Sequence, residues 1–277
     1  MRRFTADYLD RTRRGMWESR EALSPLDLPG RTRVLDVGCG TGELTRVLAE
    51  EAPAATVVGV DADRELLGAA RDADPGSEHG AASTIDYCAG DATRLPLPDG
   101  AVDLVVCQAL LVNLPDPGAA VREFARVSSE LVAAVEPDNA DVTVRSTVDS
   151  EAALEARVRE AYIAGVGTDV APGDRVGELF GEAGLSGVES RRYRHEKRVE
   201  PPYSEADLRG IARKASGAGL ADHETELRRE LDDAGDDGYD ALRSRWREMG
   251  RVAARQAADR EYERVETVPF DVTVGRV

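Results

Sequence analysis

The chain has 277 residues, is 42% hydrophobic and carries a formal net charge of −17. That length supports a sizeable core and favours one large domain with an embellishment over two independent domains. The charge argues against a nucleic-acid partner, since no basic stripe is present to neutralise phosphates. No apolar run reaches bilayer-spanning length, and the stretch from Met1 to Asp7 lacks the apolar centre of a secretory signal. Cys39, Cys88 and Cys107 make neither a metal spacing nor a disulfide set, so a soluble cytoplasmic protein without a metal site is expected. Only Lys197 and Lys214 are lysines, and the acids are spread along the whole chain. An acidic, lysine-poor surface of this kind resembles proteins from high-salt cytoplasm, where dense carboxylates keep the fold hydrated. A charge field suited to a cationic substrate is the alternative.

In chain order, residues 6–23 predict an amphipathic helix, with Tyr8, Leu9, Thr12, Met16, Ser19 and Leu23 at three- and four-residue steps. Residues 1–30 are therefore expected to pack as an N-terminal helix on the core, closed by Pro25 and Pro29. Val34, Leu35 and Val37, flanking Asp36, read as a short buried parallel strand over 33–37. The strand breaks into Gly38-Cys39-Gly40-Thr41-Gly42 and restarts as a helix over 42–51. A glycine turn at that junction brings bare backbone to a ligand at a helix N-terminus, although a plain tight turn has the same residues.

A second apolar strand, 56–60, ends in Asp61 about twenty residues after the glycines. At that spacing a carboxylate can accept from both ribose hydroxyls of a nucleoside lying across the first strand. A helix N-cap is the alternative role, and Asp63 fits it better ahead of the helix 63–71. Residues 73–82 read as a surface loop. The third strand, 84–88, runs into Gly90 and Asp91, where Asp91 is placed to accept from an adenine amine or to serve as a turn aspartate. Strands follow at 103–107 and 131–136, with a helix at 118–128. The alternation argues a doubly wound parallel sheet.

Those residues carry a resemblance. VLDVGCGTG, VVGVDAD, AGDATRLPLPDGAVDLVVCQALLVNLPDP and VAAVEPD resemble the class I S-adenosylmethionine-dependent methyltransferases, in particular the ubiquinone/menaquinone-biosynthesis type and related small-molecule enzymes. The resemblance covers about residues 30–138. It implies an α/β fold with a Rossmann-like, doubly wound, seven-stranded sheet whose last strand is antiparallel, and S-adenosyl-L-methionine across the ends of the first strands. On that resemblance Gly38, Gly40 and Gly42, with Cys39 and Thr41 between them, let the cofactor approach the backbone. Asp36 organises the turn and reaches the methionine amine, directly or through water. Asp61 takes the ribose hydroxyls with Ala62 beside it, and Asp91 takes the adenine amine between Gly90 and Ala92. Gln108 and Ala109 line the methionine end. Many relatives carry a His pair just beyond; here Leu111 and Val112 stand there, followed by Asn113, which makes a dry, shape-selecting wall. In similar enzymes the leading helix folds over the cofactor, which would bring Tyr8, Met16 or Trp17 to the pocket.

Glu136 and Asp138 end the fifth strand, and either is placed to touch an acceptor; Asp138 also suits a turn. Helices are expected at 150–165 and 175–183, stopped by Gly184, and a sixth strand at 188–199. His195 on that strand reads as structural or exposed rather than catalytic. The last strand is expected over 267–274. Between the two lie 200–266, far beyond ordinary loop length, with helices at 205–215, 223–232 and 238–263. The expected organisation is a core of 31–199 and 267–277 with 200–266 inserted as a lid that forms the acceptor pocket; a dimerisation or packing element is the alternative. No residue stands out as a catalytic base. The expected activity is methyl transfer to a small molecule, with possible homo-oligomer formation. A non-catalytic S-adenosylmethionine sensor is the alternative, and a nicotinamide oxidoreductase is disfavoured by the glycine spacing.

Overall fold

The structure, a computed structural model, describes residues 5–13, 15–74, 85–231 and 238–277. The strands β1 (Arg33–Val37), β2 (Thr56–Asp61), β3 (Ile85–Ala89), β4 (Val102–Gln108) and β5 (Ser128–Pro137) lie in the order β3-β2-β1-β4-β5. All four pairings are parallel. β8 (Arg264–Arg276) closes on β5 in the antiparallel sense, from Phe270 opposite Pro137 to Arg276 opposite Leu131. β7 (Ser186–Val199) also pairs with β8. This is the expected α/β, Rossmann-like sheet with its last strand antiparallel.

Strand parity explains the two core layers. Successive side chains point to opposite faces, and a parallel sheet is covered on both. Val34, Val57, Leu104 and Val106 share one layer with Leu44, Val47 and Leu48 of α2 (Glu43–Glu51). Leu35, Val37, Val105 and Cys107 share the other with Ala120, Val121, Phe124 and Val127. These last residues belong to the helix Pro117–Val127. The helix Arg64–Asp72, here α3, is capped by Asp63, which accepts from the N–H groups of Glu65 (2.9 Å) and Leu66 (3.4 Å). The 117–127 helix is α4.

Two expectations are corrected by local geometry. The first helix, α1, spans only Ala6–Arg13, because Gly15 takes a left-handed φ of 73° and a 3-10 turn, Glu21–Leu26, then carries Pro25. The helix expected at 223–232 is present as Glu224–Leu231, with a further short helix, Ala218–Ala221, ahead of it. The long helix Tyr239–Ala258 stops short of 263, with Arg260 at φ 61° just beyond. The loop expected over 73–82 lies mostly outside the described residues, as does Asp232.

The chain divides into two compact units: Met1–Pro137 with Pro172–Tyr193 and Phe270–Val277, and Asp138–Ala171 with Arg194–Pro269. In the first, α6 (Arg175–Glu182) ends ahead of Gly184, whose φ is 85°. The second holds α5 (Glu151–Gly165), α7 (Glu205–Ser216), α8 (Ala218–Ala221), α9 (Glu224–Leu231) and α10 (Tyr239–Ala258). It also contains an eighth strand that the sequence did not suggest, β6 (Thr143–Ser146), antiparallel to Arg264–Thr267. Its core gathers Ile211, Leu220, Leu227, Tyr239, Leu242, Trp246, Met249 and Tyr262. Glu151 and Glu155 are buried there, and each is paired, as burial of charge requires. Glu151 accepts from Tyr262 (2.9 Å), Ser146 (2.5 Å) and the Lys214 ammonium, while Glu155 accepts from Arg264 (2.6 Å) and Lys214 (2.7 Å). No described helix is long and apolar enough to cross a membrane.

Candidate functional site

The site forms where β1 gives way to α2. Gly38, Gly40 and Gly42 all have left-handed φ angles (74°, 55° and 75°), which β-carbon-bearing residues adopt only with strain. Space forbids a side chain as well. A Cβ on Gly38 would stand 2.8 Å from Leu110 Cδ1, one on Gly40 2.8 Å from Leu9 Cδ1, and one on Gly42 2.5 Å from Tyr87 Oη. The turn is held by its own surroundings. Gly38 and Cys39 donate their N–H groups to Val60 O (2.7 and 3.1 Å), Gly42 donates to Cys39 O (2.9 Å), and Gly40 donates to Asp61 Oδ2 (2.8 Å). Asp61 Oδ1 accepts from Asp63 N (2.8 Å). Each oxygen keeps a further lone pair for a ligand hydroxyl.

A cavity of 960 Å³ opens beside this turn. Gly38, Gly40, Asp61, Ala62, Gly90, Asp91, Ala92 and Ala109 all line it, so the ends of β1, β2, β3 and β4 meet in one place, as ligand sites do at the switch point of such sheets. Asp91 is exposed and its carboxyl is held below the usual range by the N–H and hydroxyl of Thr93, both at 2.8 Å. Leu110, Asn113, Leu114 and Pro115 form the far wall. Asn113 is pinned by a 2.7 Å bond from its Nδ2 to Ala109 O.

Five expected residues are not part of the lining. Parity sends the Asp36 side chain toward α2, where Thr45 donates to it at 2.6 Å. Burial pushes its carboxyl up to about 6, against the opposing effects of Thr45 and Arg13. Cys39 is buried, which raises its thiol and keeps it neutral. Thr41 offers its carbonyl to Arg46 (2.9 Å), and Gly42 faces Tyr87. Gln108 is buried at the end of β4, its Nε2 against Met16 Sδ (2.9 Å) and its Oε1 without a partner.

The lining also holds residues that the sequence reading missed. Leu9 and Arg13 reach the cavity from α1, where Tyr8, Met16 and Trp17 were expected. Trp17 lies instead in the core, edge-on to Phe270. Leu9 and Arg13 are one helical turn apart, a spacing that would have found them had the helix been ended at Gly15. Glu136 is buried and does not line this cavity. It accepts from the N–H groups of Leu110 (3.0 Å), Leu111 (2.9 Å) and Val112 (3.3 Å), and burial still pushes its carboxyl up to about 7.

The hydrogen bonding decides what kind of nucleotide-like ligand fits. A dinucleotide site needs glycine-turn N–H groups to hold a pyrophosphate. Here those of Gly38, Cys39, Gly40 and Gly42 are already taken by protein oxygens. Close backbone approach and the acceptors at Asp61 and Asp91 suit an adenosyl group. Residues 35–130 match the family model for a methyltransferase domain. Fold, site and match together make this part of the chain similar to class I S-adenosylmethionine-dependent methyltransferases, whose cofactor is S-adenosyl-L-methionine. Within that class it is similar to trans-aconitate 2-methyltransferase of Azoarcus sp., at 34% identity over 108 residues, 39% of each chain. It is also similar to the ubiquinone/menaquinone biosynthesis C-methyltransferase of Caulobacter sp., at 33% over 121 residues, 40% of this chain and 45% of the relative. The chain thus spans less than half the length of these relatives. In fold it is similar to the crystal structure of the YcgJ protein of Bacillus subtilis, with a TM-score of 0.54 at 18% identity over 93% of this chain and 98% of that one.

Proposed function

We propose that the protein transfers a methyl group from S-adenosylmethionine to a small-molecule acceptor by in-line displacement. The observation that carries this reading is the convergence of Gly38, Gly40, Asp61, Asp91 and Ala109 on one cavity beside a glycine turn whose Gly38, Cys39, Gly40 and Gly42 N–H groups are held by protein oxygens. The bound cofactor supplies an electrophilic methyl on a sulfonium. Asp61 accepts the ribose hydroxyls and Asp91 the adenine amine. Leu110, Leu114 and Pro115 keep water from the reacting end, and Asn113 is held rigid by Ala109. That wall contains no ionisable side chain, which supports an acceptor oriented in a dry pocket rather than one activated by a wall base. The small-molecule relatives support the acceptor class. The reading of 200–266 as a lid is part of this proposal and rests on its position in the chain between β7 and β8.

Calorimetric titration with S-adenosylmethionine and S-adenosylhomocysteine in molar KCl tests the cofactor half, followed by a methyl-transfer screen over small carboxylates, phenols and quinols. Micromolar binding with turnover of one acceptor class is the expected result. Binding without any turnover favours the sensor reading, and no binding by folded protein overturns both.

A further inference from the structure

The far wall of the cavity is built on a strained corner. β4 ends at Gln108, and Ala109 then takes a left-handed φ of 48°, a conformation that alanine adopts only at a cost. A single 3-10 turn, Leu111–Asn113, follows. Such a turn repeats every three residues, which sets Leu110 and Asn113 on one side, facing the cavity, while Leu111 and Val112 are buried behind them. Two bonds hold Ala109 itself, from its N–H to Val135 O (2.8 Å) and from Asn113 Nδ2 to its carbonyl (2.7 Å). The rest of the corner hangs on one side chain. Glu136, 2% exposed, accepts at Oε1 from Leu110 N (3.0 Å), Leu111 N (2.9 Å) and the Cys107 thiol (3.7 Å), and at Oε2 from Val112 N (3.3 Å). Among the described residues no cation pairs with it. Cys107 faces it from β4, and Asp271 stands opposite it in register on β8, with its own carboxylate taken by the Arg192 guanidinium of β7 at 2.8 and 2.9 Å. Asp36 points to the other face of the sheet, toward Thr45. The helices over this layer turn apolar residues inward, and their acids Glu123 and Glu178 are spent on Arg126 and Arg175.

We propose that Glu136 is the positioning residue of the acceptor wall: its ionised carboxylate holds the 110–112 main chain so that Leu110 and Asn113 keep their places on the cavity, and taking up a proton lets that wall relax. What the wall faces rests on the methyl-transfer reading above; the clamp itself does not. The proton comes from solvent and goes to Oε2, which carries one donor against three on Oε1. The new O–H then meets the Val112 N–H donor to donor, and that bond is lost while Oε1 keeps its own. Burial raises this carboxyl to about 7, so the exchange falls in the ordinary working range of pH. Leu110 also lies over the glycine turn, where a Cβ on Gly38 would meet its Cδ1 at 2.8 Å, so a ligand on that turn feels where the wall stands.

NMR reads the carboxyl and its donors separately. The side-chain carboxyl carbon of Glu136 and the amide protons of Leu110, Leu111 and Val112 are followed from about pH 5 to about pH 9, without ligand, on wild type and Glu136→Gln. One shared midpoint is expected for the carbon and the three amides, with the largest change at Val112, and the amides lose that titration in Glu136→Gln. Calorimetric affinity for S-adenosylhomocysteine is measured over the same range. Wild type is expected to bind about threefold or more tightly as the clamp ionises, the scale of one net hydrogen bond. Glu136→Gln loses that part of the pH dependence, since whatever Asp36 and other groups contribute is common to both proteins. Amides that do not titrate with the carboxyl, or that titrate unchanged in Glu136→Gln, overturn the clamp. Shared titration with the same affinity profile in both proteins overturns its role in the site. If Glu136→Gln does not fold, the wild-type titration and the midpoint of its affinity profile decide. Failure of folded wild type to bind removes the cofactor reading and the wall's role, while the amides still judge the clamp.

Discussion

Asp61 Oδ2 accepts the Gly40 N–H at 2.8 Å, so the acid that ends β2 fastens the turn that ends β1. Its other oxygen takes the Asp63 N–H, making this carboxylate a brace as well as a ligand acceptor. Asp61→Ala strands two N–H donors, at about 1–3 kcal/mol each where they are buried. It is therefore expected to lower both thermal stability and S-adenosylmethionine affinity, the latter by about tenfold or more. Asp61→Asn keeps one carbonyl acceptor and falls between. Calorimetry and thermal unfolding of the three proteins check this; an alanine variant indistinguishable from wild type in both would refute the double role.

Gly42 and Tyr87 form a second testable pair. Tyr87 Oη is buried without a partner and occupies the space a Cβ on Gly42 would need. Gly42→Ala should cost about 1–3 kcal/mol from the clash and the positive φ together. Tyr87→Phe should be near neutral alone, because it removes an unsatisfied hydroxyl. In the double variant, Tyr87→Phe should restore part of the loss, and a urea-denaturation double-mutant cycle measures the coupling. Strict additivity would show that the hydroxyl is not the obstacle.

Glu136 makes a pH prediction with a definite sign. Burial raises its carboxyl from 4.5 to about 7, so the folded state holds a proton that the unfolded chain releases across that interval. Its contribution to stability is therefore greatest below pH 4.5 and falls as pH rises through 7. Glu136→Gln removes that dependence. Its stability relative to wild type should improve by up to about 3 kcal/mol between about pH 4.5 and about pH 8. Parallel urea titrations at the two pH values give the difference directly, and a constant gap would contradict the shifted carboxyl.

In the second unit, Gly250 lets α10 lie against α7, since a Cβ there would come within 2.3 Å of Ala215 N and 2.4 Å of the Lys214 carbonyl carbon. The obstacle is backbone, which cannot swing aside as a side chain does. Gly250→Ala should cost at least about 2 kcal/mol despite the better helix propensity of alanine. Gly210→Ala on α7, with open space around its Cβ, is the control and should be neutral or slightly stabilising. Differential scanning calorimetry of the pair separates packing from propensity.

How much of this was readable beforehand follows from the kind of force at work. The five parallel strands were visible to within a few residues because burial on both faces leaves continuous apolar runs, such as Leu104, Val105 and Val106 in β4. Ala62, Ala92 and Ala109 followed from the family resemblance, and Gly38, Gly40, Asp61, Gly90 and Asp91 were legible from spacing, because the strand ends of such a sheet converge. Asp36 and Gln108 were not, since strand parity and the packing of α1 decide where their side chains go. Arg13 was hidden by the overextended first helix, and Glu136 by the fact that its partners are main-chain N–H groups, which leave no trace in residue type. β6 is four residues long and takes its pairing entirely from a distant strand, so nothing local marks it.

The pairing of β5 with Phe270–Arg276 has a consequence for synthesis. During translation β1 to β5 emerge from the ribosome early, and β5 then waits with its outer edge open while the residues up to 269 are made. Non-local pairing of this kind raises contact order, slows folding, and leaves an apolar strand edge accessible meanwhile. The nascent chain thus exposes that edge over a long interval, and its sheet is sealed only when the strand that covers β5 has left the ribosome.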